Sequence, residues 1–255
     1  MNEMGVKSDF AVAISGGADS LALAILSKEW AKQNQTSITA ITIDHGLRKE
    51  SAREAEQVSL WMKERGIPHH ILNWTGLKPT SGLQAKARKA RFDLLSNWCS
   101  SNQIHNLILG HHKDDQEETF LLRLSRGSGP IGLASMAPIV QLANIRLLRP
   151  LLNYPKSRLE AYLKNIGQQW IEDPSNQELK FARVRARKII SEIPSLTDAL
   201  DTRNRSRAGM DLLSGELITS SVDFHSAGFC NLDLHLFFKE NPEIAFRALS
   251  RVLST

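Results

Sequence analysis

The chain has 255 residues, of which 42% are apolar and 23% charged, and its formal net charge is +5. These values exclude a disordered chain and predict a globular protein with one large domain, or with one domain and a smaller companion. Its two cysteines, Cys99 and Cys230, form no C-x-x-C motif, which excludes a disulfide scaffold, a zinc ribbon and a cysteine-held cluster and favours a reducing, cytoplasmic location.

Short apolar runs alternate with helical stretches in the first half of the chain. Ser51 and Glu54 are expected to form a capping box at the start of the second helix. Alternation at this spacing predicts parallel strands with helices packed on both faces of the sheet. We therefore predict an α/β fold with a Rossmann-like parallel five-stranded sheet, followed by a small, mostly helical domain. Strands are predicted over 10–15, 37–44, 69–74, 106–110 and 145–152, and helices over 20–33, 51–66, 81–101 and 114–126.

The strand pattern ends near residue 153, and the remaining chain is helical in character. Residues 1–153 are thus predicted to form a nucleotide-binding domain, with an extension of the sheet to about residue 175 left open, and 154–255 a helical domain. No apolar run approaches ~20 residues and the N-terminus has no signal-peptide pattern, so we expect no membrane partner. Helices are predicted over 154–167, 178–193, 202–221 and 242–255.

The hexapeptide S-G-G-A-D-S (15–20) lies between the first strand and the first helix. Its glycines let a ligand approach the backbone, and the helix start offers N–H groups with a partial positive charge. These features predict a phosphate site. Asp19 would repel phosphate unless a cation such as Mg²⁺ lay between them. The pattern is neither a Walker A motif nor G-x-G-x-x-G, and the alternative is an ordinary capped turn.

Polar clusters also follow the second and fourth strands. Asp44 and His45 follow the second strand, where the alternative is a polar turn capped by the aspartate. The segment H-H-K-D-D-Q-E-E-T (111–119) follows the fourth and places Asp115 and Glu118 on one helix face. Carboxylates at this density favour a neighbouring Mg²⁺ or substrate ammonium, although the helix dipole also favours acids there. Ligands of parallel sheets bind beyond the carboxyl ends of the strands, so we expect these clusters to meet.

Two basic stretches predict contacts with phosphates. One is A-K-A-R-K-A-R-F (85–92), and the other is K-F-A-R-V-R-A-R-K (180–188), which carries five cations and no acid. Phosphate contacts dominate nucleic-acid affinity, so the second stretch favours an RNA partner. The alternative for both is a solvated helix face. The glycine-rich segment 126–136 is either a lid over the site or an ordinary loop.

The loop S-G-G-x-D-S resembles the signature of the PP-loop ATP pyrophosphatases, which transfer AMP from ATP to a substrate oxygen. The full set of motifs is similar in order to that of the tRNA(Ile)-lysidine synthetase family, over most of residues 10–190. The further matches are D-H-G-L-R (44–48), A-R-K-A-R-F (87–92), H-H-K-D-D-Q-E-E-T (111–119), R-G-S-G-P-I-G-L (126–133), R-P-L-L (149–152) and W-I-E-D-P-S-N (170–176).

The resemblance implies a reaction and a set of site residues. ATP would adenylate the C2 oxygen of the wobble cytidine of tRNA(Ile), and the side-chain amine of free L-lysine would then displace AMP. The helical domain 154–255 would contact tRNA and would be incomplete at its C-terminal end. The implied catalytic residues are Asp19, Arg91, His111, Asp115 and Glu118, with Asp19 and Asp115 at Mg²⁺ and Asp115 and Glu118 at lysine. The implied ATP site is Ser15, Gly16, Gly17, Ala18, Asp19, Ser20, Asp44 and His45, and the implied tRNA contacts are Arg183, Arg185, Arg187 and Lys188.

Three other functions are compatible with a PP-loop. An enzyme that thiolates tRNA would need a cysteine pair, for which Cys99 and Cys230 offer no suitable motif. A small-molecule amide ligase would leave the basic stretch at 180–188 unexplained. A non-catalytic nucleotide-binding module would not need the acids at 114–118. The sequence leaves open whether the protein is a homodimer and how the four residues Arg91, His111, Asp115 and Glu118 divide their roles.

Overall fold

The computed structural model describes residues 1–47, 50–75, 83–124, 136–142, 144–172, 209–225 and 229–253. They fall into two compact units, Met1–Thr119 with Met136–Arg187 and Phe120–Ser135 with Lys188–Thr255. The sheet and the predicted nucleotide site belong to the first unit. A smaller set of helices and a hairpin belongs to the second.

The first unit is built from strands that alternate with helices, as the sequence predicts. β1 is short and wholly apolar because it is covered on both faces, which is typical of a central parallel strand. The strands are β1 Phe10–Ala13, β2 Ile38–Asp44, β3 His69–Asn73, β4 Asn106–Ile108, β5 Ile139–Gln141 and β6 Arg146–Leu148. The helices are α1 Ala18–Gln33, α2 Ser51–Glu64, α3 Leu83–Ser101, α4 Lys113–Leu124, which belongs to this unit as far as Thr119, and α5 Lys156–Asn165.

The sheet has six strands in the order β3-β2-β1-β4-β6-β5. The first five in this order are parallel, and β5 pairs with β6 in the antiparallel direction, with Ile139 opposite Leu148. The α/β class is confirmed, but the predicted count of five strands is one too low. β5 has only three residues, too few to show the alternation by which a strand is recognised in a sequence.

Two apolar layers hold the sheet between its helices. On one face, Leu21 and Leu23 of α1 pack with Val58 of α2 and Leu163 of α5 in a single buried cluster. Leu95 and Cys99 of α3 belong to the cluster that also contains Ile41 and Leu107 of the sheet. Burying one such large side chain contributes roughly 2 kcal/mol, so each layer contributes a large part of the unit's stability.

The start of α2 differs from the prediction. The helix begins at Ser51 with Glu50 as its N-cap residue, and no side chain caps it. The Ser51 hydroxyl donates instead to Asp44 Oδ1, 2.7 Å away. The expected capping box of Ser51 and Glu54 is therefore wrong, because the serine is bonded to the strand end that precedes the helix.

α5 lies beyond the predicted domain boundary at residue 153, yet it packs on α1 within the first unit. Its Leu159 and Leu163 are buried in the same cluster as the α1 side chains. The predicted boundary stays a prediction, and the sheet layer extends at least through this helix.

The second unit is mostly helical in its described part. Residues 209–221 are helical (α6), which agrees with the helix predicted over 202–221, and a hairpin of β7 Val222–Phe224 and β8 Cys230–Leu232 follows. The sequence prediction missed this hairpin, whose strands are three residues long. Two helices, α7 Leu234–Lys239 and α8 Pro242–Val252, complete the described part of the second unit. The helix predicted over 178–193 lies outside the described residues. The buried core of the unit is Leu217, Val222, Phe237, Ile244 and Ala248.

In the ranges that the structure describes, no helix combines the length and apolarity needed to cross a bilayer.

His69 of β3 predicts a dependence of stability on acid pH. Its Nε2 lies 2.8 Å from Thr42 Oγ1, and burial, reinforced by the charge of His70, lowers its pKa from 6.5 to about 4. Between these values the unfolded chain binds a proton that the folded chain does not, so stability falls as the pH is lowered. We expect this group to remove about 2 kcal/mol from the free energy of unfolding between pH 7 and pH 5.

The variant His69→Gln keeps a hydrogen-bonding group beside Thr42 and removes the titration. Denaturant unfolding of both proteins across this pH range should give a shallower acid limb for the variant. Parallel curves for the variant and the unmodified chain would contradict the prediction.

Candidate active site

The phosphate-loop segment 15–20 connects β1 to α1 as predicted. Ser20 closes the loop, because its Oγ accepts from the Ser15 N–H at 3.1 Å and donates to Gly17 O at 3.0 Å. Gly17 is the N-cap residue of α1, and no side chain caps the first N–H groups of the helix, which begins at Ala18. An uncapped helix start directly after a parallel strand is suited to an anion.

Only glycine fits at position 16 without strain. Its φ is +85°, and a Cβ there would lie 2.7 Å from Ile171 Cδ1 and 2.8 Å from Val58 Cγ2. Its carbonyl accepts from the Ile171 N–H at 2.9 Å. The loop is therefore supported from behind by α2 and by the segment that follows α5.

The loop lies where the strand order reverses. β1 pairs with β2 on one side and with β4 on the other, so the carboxyl ends of β1 and β4 flank the crevice in which such sheets bind ligands. Gly110, just after β4, approaches the first turn of α1 so closely that a Cβ would lie 3.3 Å from the backbone of Asp19 and from Ser20 Cα. The polar clusters predicted after the first and fourth strands therefore lie next to each other.

His112 joins these two clusters. Its side chain is 3% exposed, and its Nε2 lies 3.4 Å from Asp19 Oδ2 and 3.5 Å from Asp115 Oδ2. Its Nδ1 lies 3.6 Å from Asp114 Oδ1. The Asp115 carboxylate also accepts from the His112 N–H at 3.0 Å, as an N3 acid does at a helix start. Three carboxylates thus converge on one buried imidazole.

The charge of His112 follows from these neighbours. Burial lowers its pKa, but the neighbouring carboxylates of Asp114, Asp19 and Asp115 outweigh burial and raise it from 6.5 to about 10. Burial raises the pKa of Asp114, and the nearby His112 ring together with the hydrogen bond from the Lys156 N–H outweighs this and lowers it. An imidazolium therefore partly neutralises the acid cluster.

Asp19 retains one carboxylate oxygen for a ligand. Its Oδ1 is buried and has no hydrogen-bond partner among the described residues. Those residues include no cluster of three or more His, Cys, Asp or Glu side chains with the arrangement of a metal site. Mg²⁺ is commonly held by only one or two carboxylates together with substrate phosphates, so Asp19 and Asp115 fit this ion.

His111 lies beside His112 in an opposite electrostatic environment. Burial and the charges of Arg149, Arg91, Arg88 and His112 together lower its pKa from 6.5 to about 3. Arg149 Nε donates to His111 Nδ1 at 3.3 Å. On α3, Arg88 and Arg91 both lie against the Phe92 ring, 5.3 Å and 5.5 Å from its centre. The neutral imidazole is therefore surrounded by cations.

The end of β2 forms a turn beside Trp74. Asp44 Oδ1 accepts from the Gly46 N–H at 2.8 Å as well as from Ser51, which is the local capping role considered from the sequence. The His45 ring meets the Trp74 ring edge to face, with centres 6.3 Å apart. Roles of Asp44 and His45 at an adenosine stay predictions.

The remaining predicted side chain, Glu118, lies one turn after Asp115 on α4 and is 2% exposed. Between them, Gln116 is also buried, and its Oε1 accepts from the Met136 N–H at 2.6 Å. α4 therefore also holds the start of the segment that leads into β5.

The structure brings Asp19, Asp115 and His111 to one edge of the sheet. The sequence interpretation missed His112 and Arg149, although both lie inside the family motifs, because nothing local distinguishes a buried histidine from the one before it. Outside the described residues lie the glycine-rich segment over 126–135 and the residues Arg48, Arg183, Arg185, Arg187 and Lys188.

Sequence comparisons with known proteins support the family that the motifs indicate. The sequence matches the PP-loop domain family over residues 2–193. It is 42% identical over 248 residues to a tRNA(Ile)-lysidine synthase of Wolbachia pipientis wMel, which covers 94% of this chain and 58% of that protein. It is 37% identical over 256 residues to a tRNA(Ile)-lysidine synthase of Rhodopseudomonas palustris, which covers 95% of this chain and 73% of that protein.

The fold is similar to that of the solved U34-tRNA thiolase NcsA from Methanococcus maripaludis. The TM-score is 0.66 at 19% identity, over 78% of this chain and 72% of that one. This likeness concerns the fold alone. The sequence matches place the chain in the PP-loop domain family and, within it, in the tRNA(Ile)-lysidine synthase family.

Proposed function

We propose that this chain catalyses the formation of lysidine in an isoleucine tRNA. The observation that carries the proposal is the convergence of Asp19 and Asp115 beside the uncapped start of α1, in a chain of this family. The chain spans 58% of the length of the Wolbachia relative, so the reaction, its substrates and its partners all belong to this proposal. A cytoplasmic location, where tRNA and ATP are found, is part of the same proposal.

In the first step, the wobble cytidine reacts with ATP. Its C2 oxygen attacks the α-phosphorus, the bond to the β-phosphate oxygen breaks and pyrophosphate leaves. The loop 15–20 would bind the phosphates through backbone N–H groups, and Asp44 and His45 would lie at the adenosine. Mg²⁺ held by Asp19 and Asp115 would offset the phosphate charge. Arg91, and His111 as a neutral donor, would stabilise charge on the reacting phosphates.

In the second step, lysine replaces AMP. The side-chain ammonium of lysine loses a proton and its nitrogen attacks C2, the bond from C2 to the adenylated oxygen breaks, AMP leaves with the electron pair, and the attached nitrogen loses a second proton. Asp115 and Glu118 would bind ammonium groups of the amino acid, because the ligand carries two of them and the acid cluster attracts cations. Arg183, Arg185, Arg187 and Lys188 would contact tRNA phosphates.

Pyrophosphate release, measured with and without tRNA(Ile) and lysine, tests the proposal. Release that requires tRNA, with lysidine found by nucleoside analysis after lysine is added, is the expected result. ATP binding without turnover under any substrate would favour a nucleotide-binding module, and tRNA-independent release with a small acceptor would favour an amide ligase.

Thiolation of tRNA is not favoured by the cysteines. Cys99 is fully buried, and burial raises its pKa from 9.0 to about 12. A thiol held protonated in an apolar cluster does not act as a nucleophile. Incorporation of sulfur into tRNA by this chain would contradict the proposal directly.

The variant Glu118→Gln is expected to raise the lysine concentration for half-maximal rate. It removes a buried negative charge while preserving the shape of the side chain. A rise of about tenfold or more corresponds to about 1.4 kcal/mol of lost binding. The matched control is Glu117→Gln, one residue earlier on α4, which should leave the lysine titration unchanged. An unaltered lysine requirement in Glu118→Gln would remove this residue from the lysine site.

A further inference from the structure

A buried arginine lies behind His111 at the end of β6. Arg149 is 7% exposed, and its Nε donates to His111 Nδ1 at 3.3 Å. The Leu109 N–H donates to Leu148 O at 2.9 Å, which continues the β4–β6 pairing and brings the two strand ends side by side. The pairing of β4 with β6 therefore fixes the contact between Arg149 and His111.

The same guanidinium also holds the segment before β5. Its Nη1 donates to Ala137 O at 2.7 Å, and the Arg149 N–H donates to Pro138 O at 2.9 Å. The side chain is thus anchored on the side away from His111, and it cannot turn without breaking a second hydrogen bond.

We propose that Arg149 is a positioning residue that fixes His111 as the neutral tautomer with its proton on Nε2. A guanidinium can only donate, so Nδ1 must accept, and a neutral imidazole then carries its hydrogen on Nε2. The tautomer therefore follows from the hydrogen-bonding groups of the two side chains alone.

The charges around His111 act in the same direction. Arg149 faces it from the end of β6, Arg88 and Arg91 from α3, and His112 from the same loop. Together with burial they hold its pKa far below the ordinary value, at about 3. His111 is consequently a fixed hydrogen-bond donor that does not titrate near neutral pH, and it is not the group that moves a proton in the reaction.

The tautomer is measured directly by long-range ¹H–¹⁵N correlation spectra of the intact chain labelled at histidine. The signals of His111 are identified by their loss in His111→Gln. The expected spectrum shows a protonated Nε2 and an unprotonated Nδ1 that do not change between about pH 5.5 and pH 8. A proton on Nδ1, or titration within that range, would overturn the proposal whether or not any variant folds.

Two variants test the role of Arg149. Arg149→Met should let His111 populate both neutral tautomers, because Nδ1 loses its donor, while burial and the remaining cations keep the ring uncharged. Arg146→Met is the matched control, because Arg146 lies at the opposite end of β6 and contacts the Met4 carbonyl instead. The His111 signals in the control should match those of the unmodified chain. A His111 that keeps its proton on Nε2 alone in Arg149→Met would assign the tautomer to other groups and overturn the role of Arg149.

The kinetic consequence rests on the proposed function. In Arg149→Met, kcat for pyrophosphate release should fall on the order of tenfold at both pH 6 and pH 8, with little change in the KM for ATP, because His111 no longer holds its proton on Nε2 alone. An unchanged kcat, or a loss confined to the KM for ATP, would overturn the positioning role. Failure of the unmodified chain to release pyrophosphate would refute the proposed function alone, since the spectra decide the tautomer independently.

Discussion

Asp19→Ala is expected to lower tRNA-dependent pyrophosphate release on the order of a thousandfold while the chain stays folded. The Asp19 Oδ1 atom is buried without a hydrogen-bond partner in the described part of the chain, and its Oδ2 lies 3.4 Å from His112 Nε2. The carboxylates of Asp114 and Asp115 still face the His112 imidazolium in this variant, so the chain should stay folded. The lost rate reflects the loss of a ligand to Mg²⁺ beside the phosphates.

The control variant must separate the effect of losing a Mg²⁺ ligand from the effect of losing a negative charge beside the His112 imidazolium. Asp114→Asn also removes a carboxylate charge from beside His112, and its remaining oxygen can still accept from the Lys156 N–H, as Asp114 Oδ1 does at 3.2 Å. We expect this variant to retain most of the activity. Stabilisation of the chain by ATP and Mg²⁺, followed by thermal unfolding, should disappear in Asp19→Ala and persist in Asp114→Asn. Near-normal release by Asp19→Ala would refute its assignment.

Gly16→Ala is expected to destabilise the chain by about 3 kcal/mol and to abolish ATP-dependent stabilisation. A side chain at φ +85° is strained, and its Cβ would overlap Ile171 and Val58 at 2.7 Å and 2.8 Å. Relief of the overlap must move either the loop or the segment that supports it. Denaturant unfolding with and without ATP and Mg²⁺ measures both effects.

Two other glycines serve to separate the cost of the backbone conformation at Gly16 from the cost of its steric overlap. Gly167 has φ +66°, and a Cβ added there would have nothing within 4 Å, so Gly167→Ala reports the cost of the backbone conformation alone. Gly17, at φ −72°, would place a Cβ 3.7 Å from Ser15 Oγ, an ordinary contact. A loss in Gly16→Ala no larger than that in Gly167→Ala would show that the packing behind the loop is unimportant.

The polar segments that follow the strands could be predicted because their signals are local, although β1 and β6 end earlier than predicted, at Ala13 and Leu148. A buried apolar run that ends in glycine, serine or aspartate identifies β1 and its loop without any knowledge of the rest of the chain. The same holds for the segment that follows β4. Since parallel strands end at one edge of a sheet, the meeting of Asp19 with Asp115 followed from topology alone.

The states of the two histidines could not be predicted because they depend on distant partners. His112 is charged partly through Asp19, which lies on another element, and His111 is neutral through burial and through Arg149, which follows a third. In the sequence the two are adjacent and chemically identical. The capping of α2 failed for a related reason, since Asp44 lies outside the helix and still bonds its first residue.

Binding of a nucleoside triphosphate at the carboxyl end of β1 is the event on which the proposed reaction depends most. A crystal of the chain soaked with a non-hydrolysable ATP analogue and Mg²⁺ tests this directly. We predict the phosphates against the backbone of residues 15–20, with an ion about 2.1 Å from an Asp19 oxygen. Phosphates bound elsewhere, with the loop empty at saturating nucleotide, would contradict the proposed reaction.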